Sequence, residues 1–138
     1  MKYGWSAETD EKVGERLRLM GLATERLIEE RLASGELEDI DVLVGYVPII
    51  MPPEWAQDYP ARTKVSHKHR VLDCAPQLDY EKFSGDSVEV AAKEYVGGII
   101  LCLPLLSRLR FAPSEISRIE EFFGRVSEDL QAQVHGIP

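Results

Sequence analysis

The chain contains 138 residues, of which 44% are hydrophobic and 29% are charged, a balance typical of a soluble globular domain. This composition excludes a disordered tail, a collagen-like repeat and a small scaffold held together by disulfides. Acidic residues outnumber basic residues by 24 to 16, for a formal net charge of -8, which disfavours direct binding to nucleic acid or a membrane and favours a basic partner.

The first third of the chain predicts a short strand followed by a long helix. Met1 to Ser6 alternates in polarity, which indicates an extended segment. From Thr9 to Ser34 residues recur at steps of three and four, as on one face of a helix, and Gly35 is a typical residue to end it. The predicted buried face carries Val13, Leu17, Met20, Thr24, Leu27, Ile28 and Arg31.

Two further strands are predicted in the middle of the chain. The segment from Asp41 to Met51 is almost continuously apolar, and Pro48 within it predicts a sheet edge because proline has no N–H to donate. A proline-rich loop from Pro52 to Arg62 follows. The pattern then predicts a third strand from about Thr63 to Leu78, with Leu72, Cys74, Pro76 and Leu78 on one face and His67, His69, Val71 and Asp73 on the other.

The remaining residues predict helices. One helical turn is expected over Asp79 to Phe83, and Asp86 is the expected N-cap of the next helix, which Pro104 should kink or break. Pro113 is expected to open the last helix. The buried face of that helix is predicted to carry Ile116, Ile119, Phe123, Val126 and Leu130, and the chain should fray from His135 onwards.

The order β-α-β-β-α-α indicates an α+β fold. We expect a three-stranded, largely antiparallel sheet with helices packed on one face. No repeat, linker or change in composition divides the chain, so we predict a single domain over residues 1–138.

The cysteines and the most apolar segments predict a cytoplasmic protein. Cys74 and Cys102 fit no zinc-binding spacing and lie in apolar stretches, where we expect buried, reduced thiols. The first twelve residues lack the apolar core of a signal peptide. The apolar run from Val96 to Leu106 has 11 residues, whereas a membrane-spanning helix needs about 20.

The residue patterns predict neither an enzyme nor a metal or cofactor site. The strand prediction places His67, His69 and Asp73 on one face, but Asp73 would lie about 13 Å from His69, too far to share a metal ion. The chain contains no nucleophile elbow, phosphate-binding loop or dinucleotide-binding motif. Residues 61–70 carry four bases and no acid, which we interpret as a protected edge strand rather than a contact with RNA.

Two segments are the candidates for binding a protein partner. The acidic stretch at residues 36–41 precedes an apolar strand and would attract a cationic protein. The loop at residues 54–59 carries aromatic side chains between prolines, and its tryptophan is either a binding anchor or a cap on the core. The candidate partner-binding residues are Glu36, Glu38, Asp39, Asp41, Glu54, Trp55, Asp58 and Tyr59.

The order of several short segments resembles the immunity protein 44 family of bacterial polymorphic toxin systems. The segments are Met1-Lys2 with Trp5-Ser6-Ala7-Glu8, YVPIIMP at 46–52, KVSHKHRVLD at 64–73 and Leu-Asp-Tyr-Glu-Lys-Phe at 78–83. The likeness extends over roughly residues 1–125, and this chain departs from it in its acidity and in the run GGIILCLP. The resemblance implies a non-catalytic, cytoplasmic immunity protein that binds a cognate toxin C-terminal domain and blocks it. Its acidity suits a basic nuclease toxin.

Three other functions remain as alternatives. One is a small-ligand-binding or regulatory accessory domain, with a molecule held between the sheet and the kinked helix near Tyr95. A second is a small hydrolase or nuclease centred on His67, His69 and Asp73, and a third is a structural subunit. The chain is expected to be a monomer or a homodimer.

Overall fold

A computed structural model describes residues 7–58, 60–68 and 70–138, and the strand predicted over Met1–Ser6 lies outside them. The described part is a mixed α+β fold, so the predicted fold class is confirmed. Its helices are α1 (Ala7–Ala33), α2 (Pro53–Ala56), α3 (Tyr80–Ser84), α4 (Val88–Cys102) and α5 (Pro113–Gln133). Its strands are β1 (Leu43–Tyr46), β2 (Arg62–Ser66) and β3 (Val71–Ala75).

Helix α1 buries the predicted face. Val13, Met20, Thr24 and Leu27 are buried, while Leu17, Ile28 and Arg31 are half-buried. Gly35 follows the helix with a φ of +99°, a left-handed conformation that glycine adopts without steric cost. The predicted end of the helix is therefore confirmed.

The described sheet has the order β1-β3-β2, with β1 parallel to β3 and β2 antiparallel to β3. It is therefore mixed, and the prediction of a largely antiparallel sheet holds for only one of these two strand pairs. The parallel pairing continues beyond β1, where the Val47 and Ile49 N–H groups donate to the carbonyls of Cys74 and Pro76 at 2.8 Å. Strand β1 lies at one edge of this sheet, as Pro48 predicts.

The single strand predicted from Thr63 to Leu78 is wrong because the chain reverses direction within it. Strand β2 ends at Ser66 and β3 begins at Val71, and Arg70 in the connecting turn has a φ of +52°. His67 therefore lies in the turn and not on a strand face beside Asp73, while His69 lies outside the described residues. The buried face of the second half is confirmed, since Leu72, Cys74, Pro76 and Leu78 are all buried.

The helical half follows the predicted order, with one corrected cap. Asp79 caps α3 by accepting a hydrogen bond from the Lys82 N–H at 3.1 Å. Ser87, and not Asp86, caps α4, because its hydroxyl accepts from the Val90 N–H at 3.2 Å. Helix α4 then tightens into a 3-10 segment at Leu103–Leu109, where Pro104 cannot donate the next α-helical hydrogen bond.

The core lies between α1, α4, α5 and the face of β3 that carries Leu72 and Cys74. Its largest fully buried side chains include Phe83, Phe122 and Met20. Every residue of the predicted α5 face is buried: Ile116, Ile119, Phe123, Val126 and Leu130. Cys74 and Cys102 are free and buried, and burial, together with the neighbouring Cys102, raises the pKa of the Cys74 thiol.

Residues Val88–Leu109 are long and apolar enough to cross a membrane by length and composition alone. Half of this segment is buried inside the fold, and its buried residues include Val96, Ile99 and Leu103. The core helix of a globular protein has the same properties.

Helix α4 meets the sheet at Gly98. At this contact the Tyr46 hydroxyl donates to the Tyr95 carbonyl at 2.5 Å. The two tyrosine rings pack edge to face with centroids 5.2 Å apart. A Cβ atom at Gly98 would overlap the Tyr46 hydroxyl and lie 2.7 Å from Leu78 Cδ2. The missing side chain is therefore what lets the helix approach the strands.

Arg16 is a charged residue on the buried face of α1, with only 2% of its surface exposed. Its guanidinium donates to the carbonyls of Phe83 and Gly85, and its Nε donates to the Pro138 carbonyl at 2.9 Å. The end of the chain is thereby attached to α1, so the predicted fraying from His135 is wrong. A buried guanidinium needs such acceptors, and residues Val134–Gly136 form a 3-10 turn that carries the chain towards it.

Candidate partner-binding surface

Two of the four predicted acidic residues at 36–41 form ion pairs with arginines of this chain. Glu36 accepts from Arg31 at 3.1 Å and from Arg125 at 3.0 Å. Asp39 and Arg118 form a two-pronged ion pair with both N–O distances at 2.7 Å. These carboxylates therefore attach the loop after α1 to α5, and the paired arginines offset their negative charge.

The Arg118 pair predicts a measurable titration. Its hydrogen bonds lower the pKa of Asp39 from 3.8 to about 2. Because the folded-state pKa is depressed, the pair stabilises the fold above about pH 4, and this stabilisation is lost as the pH falls towards 2. We expect Arg118→Gln to return the pKa of Asp39 to its ordinary range, as measured by carboxyl NMR titration. An unchanged pKa would show that the pair does not form in solution.

Glu38 and Asp41 remain exposed, and neither forms an ion pair with a described residue. Asp41 also lines the cavity at the start of β1. Of the predicted acidic stretch, these are the two carboxylates available to a partner.

The second predicted segment lies at the other end of β1. Glu54 and Trp55 belong to α2 and Asp58 follows it, while Tyr59 lies outside the described residues. Trp55 is half-buried, and Gln77 holds the helix by donating to the Ala56 carbonyl. Leu43 and Ile49 alone are separated by roughly 20 Å of extended chain, so the structure does not bring the two predicted segments into one cluster.

An apolar groove that the residue patterns do not predict runs between α1 and β1. Two adjoining cavities of about 500 and 350 Å³ form it and share Ile28, Val44 and Phe123. We call it the α1–β1 groove. Its other apolar lining residues are Leu17, Leu22, Leu32, Leu37, Ile40, Val42, Leu43, Tyr46, Tyr95, Ile99, Ile119 and Phe122.

Exposed apolar side chains collect at this groove. Leu22, Leu32 and Leu43 line it, and Leu43 is 62% exposed. Val47, which follows β1, is 71% exposed. Leu22, Leu32 and Leu43 are three of the six large hydrophobic residues that are exposed in the described part of the chain, and Val47, Val90 and Leu101 lie outside the groove lining. Such clustering is typical of a surface that binds another molecule.

Two hydroxyl groups lie in the wall of the groove. The Thr24 hydroxyl is buried and has no hydrogen-bond partner among the described residues. The Tyr95 hydroxyl lies near Gly21, where a Cβ would be 3.3 Å away. Burial raises the pKa of Tyr95, and the negative charge of Glu25 raises it further. The wall of the groove is therefore mainly apolar, and the Thr24 and Tyr95 hydroxyls are polar groups at defined positions within it.

The rim of the groove is acidic. Glu25 and Glu29 project from α1 into its lining, and Asp41 closes its far end. The cation in the same lining is Arg18, which already bonds Glu15 at 2.7 Å. The rim therefore offers carboxylates to a basic ligand.

The basic segment at 61–70 is dispersed. Arg62 and Lys64 lie on the edge strand β2, and the Arg70 guanidinium stacks 4.7 Å from the centre of the Phe111 ring. Within residues 7–58, 60–68 and 70–138, no three histidine, cysteine or acidic side chains lie close enough to hold a metal ion.

Comparison with known proteins adds no relative, since no family model, curated protein or solved structure matches this chain. The resemblance to the immunity protein 44 family stays a prediction.

Proposed function

We propose that this chain is a non-enzymatic immunity protein that needs no cofactor, acts in the cytoplasm and neutralises a basic toxin domain by binding over its active site. One observation carries the proposal: exposed apolar side chains and unpaired carboxylates share the same surface, around the α1–β1 groove. Apolar side chains that are buried on binding supply affinity, and a rim of one charge selects an oppositely charged partner. The resemblance implies the same role.

The partner that suits this surface is a nuclease-type toxin. A domain that cleaves nucleic acid needs a positively charged cleft to hold the phosphate backbone. Glu25, Glu29 and Asp41 present carboxylates in the lining of the groove, Glu38 is exposed in the segment that leads to Asp41, and the whole chain carries a net charge of -8. Opposite fields of this kind accelerate association.

The test is co-expression with the polymorphic-toxin C-terminal domain that this proposal expects immediately upstream of the reading frame. We expect a one-to-one complex on purification and rescue of host growth. Absence of binding to that domain would overturn the proposal.

A charge-reversal pair shows whether the acidic rim takes part. Glu38→Lys with Asp41→Lys should slow association with the toxin domain about tenfold at low salt and weaken its salt dependence. The control is Glu11→Lys with Glu81→Lys, which makes the same change in net charge at two residues outside the groove lining. Equal rates for the two double variants would remove Glu38 and Asp41 from the binding surface.

The groove also supports the second candidate, a small-ligand-binding domain. The cavity of about 500 Å³ reaches Tyr95 and Ile99, and the unpartnered Thr24 hydroxyl would bond a polar atom of a largely apolar ligand. Native mass spectrometry of the freshly purified chain tests it. A bound small molecule that Thr24→Val reduces would favour this candidate over the inhibitor.

A further inference from the structure

We propose that the partner inserts an extended segment along the edge of β1 that no described strand covers, as an added strand whose apolar side chains fill the α1–β1 groove and whose basic residues face its acidic rim. This inference rests on the proposed function and specifies how the toxin domain is held.

The backbone of β1 has one side available for a further strand. The Val47 and Ile49 N–H groups donate to the β3 side. Because successive residues of a strand direct their N–H groups to opposite sides, those of Val44 and Tyr46 point away from β3. No described strand pairs with that side. Pro48 also faces away from β3, so its lack of an N–H removes no hydrogen bond to β3. An added strand would therefore gain main-chain hydrogen bonds at Val44 and Tyr46.

The groove receives the side chains of such a strand. Neighbouring strands lie about 4.8 Å apart, and alternate side chains of an added strand would face the helical layer. There they would meet Leu22, Ile28 and Leu32 from α1, with Phe123 at the floor. Main-chain pairing then supplies affinity, while the groove selects the side chains, as in other cases of strand addition.

Charge favours a basic segment of another protein at this edge. A second copy would bring another net charge of -8 to an acidic rim, so edge-to-edge pairing of two copies is disfavoured. A basic segment instead complements the carboxylates of Glu25, Glu29 and Asp41 in the lining.

Hydrogen exchange of the full-length chain, free and in complex with the toxin domain, tests the inference directly. We expect the Val44 and Tyr46 amides to exchange rapidly in the free chain and at least tenfold more slowly in the complex. Slow exchange in the free monomer would mean that the chain fills its own edge. Slow exchange that appears only as the free protein dimerises would mean that a second copy fills it. Either result overturns the proposal.

A matched pair of variants separates the mode of binding from binding itself. Val44→Pro removes an outward N–H without breaking a hydrogen bond to β3, and Val44→Ala controls for the loss of the valine side chain from the groove. The proline variant should weaken the complex at least tenfold relative to the alanine variant. Leu22→Glu should weaken it similarly, and Leu101→Glu, at an exposed site outside the groove, should not. Thermal unfolding of each free variant verifies the fold. If the complex tolerates Val44→Pro, and the Val44 and Tyr46 amides stay unprotected in the wild-type complex, strand addition is overturned but the inhibitor proposal is kept, whereas no complex at all overturns both.

Discussion

Replacing Gly98 with alanine is expected to lower the free energy of unfolding by about 1–3 kcal/mol, the usual cost of inserting a methyl group into a packed interior. The new Cβ would overlap the Tyr46 hydroxyl and approach Leu78 Cδ2 to 2.7 Å and Pro76 Cγ to 3.2 Å. The tyrosine cannot yield freely, because its hydroxyl bonds the Tyr95 carbonyl of the same helix. The steric cost should exceed the helix propensity that alanine adds, about 1 kcal/mol.

The adjacent glycine provides the control. A Cβ at Gly97 meets nothing within 4 Å, so Gly97→Ala should stabilise the chain by about 0.5–1 kcal/mol through helix propensity alone. Urea unfolding of both variants measures the difference, and the two changes should have opposite signs. If both variants gained stability, the close contact between α4 and β1 would not exist in solution.

The elements that residue patterns predict correctly are those whose cause is local. Helix α5 is a clear case, because Pro113 sets its start and each residue of the predicted stripe is buried. Gly35 ends α1 for an equally local reason, the left-handed backbone at that position. Periodicity and backbone preference are properties of neighbouring residues, so the sequence displays them directly.

The errors in the sheet have a non-local cause. The residues at 67–70 include no glycine or proline to mark a turn, yet the chain reverses there with Arg70 in a left-handed conformation. Periodicity alone therefore predicts a single strand that continues through residues 67–70. The parallel pairing of β1 with β3 depends on where the hairpin docks, and nothing within Leu43–Tyr46 specifies that partner.

The sequence predicts the acidic part of the candidate site but not the groove. The acidic stretch is visible in the sequence, but Asp39 meets Arg118 across 79 positions, and Glu36 meets Arg125 across 89. Only the folded chain shows which carboxylates stay unpaired. The groove is equally non-local, because α1 and β1 each contribute one wall and α4 and α5 contribute the floor. The sequence carries one indication of the groove, because Leu22 and Leu32 are apolar residues of α1 that lie outside its predicted buried face.

Arg16→Met is expected to destabilise the chain by about 3 kcal/mol, because it leaves three carbonyl oxygens without their donor. Methionine fills much of the same volume, and removal of the charge relieves the desolvation that lowers the pKa of Arg16. That gain is smaller than the loss, since the buried Phe83 carbonyl receives no replacement donor and the partly buried bonds to Gly85 and Pro138 each lose a charged donor. Chemical denaturation measures the change, and the Ile137 amide, which donates to the Val134 carbonyl, should exchange faster with solvent.

Two further variants isolate the hydrogen bonds from the charge. Arg16→Lys keeps the charge, but a single ammonium cannot reach all three carbonyls, so its loss of stability should fall between wild type and Arg16→Met. Arg18→Met removes an exposed arginine two positions along the same helix that bonds only Glu15 among the described residues, and should change stability by less than about 0.5 kcal/mol. If Arg16→Lys matched wild type, charge alone would account for the effect, and the attachment of Pro138 to α1 would contribute nothing.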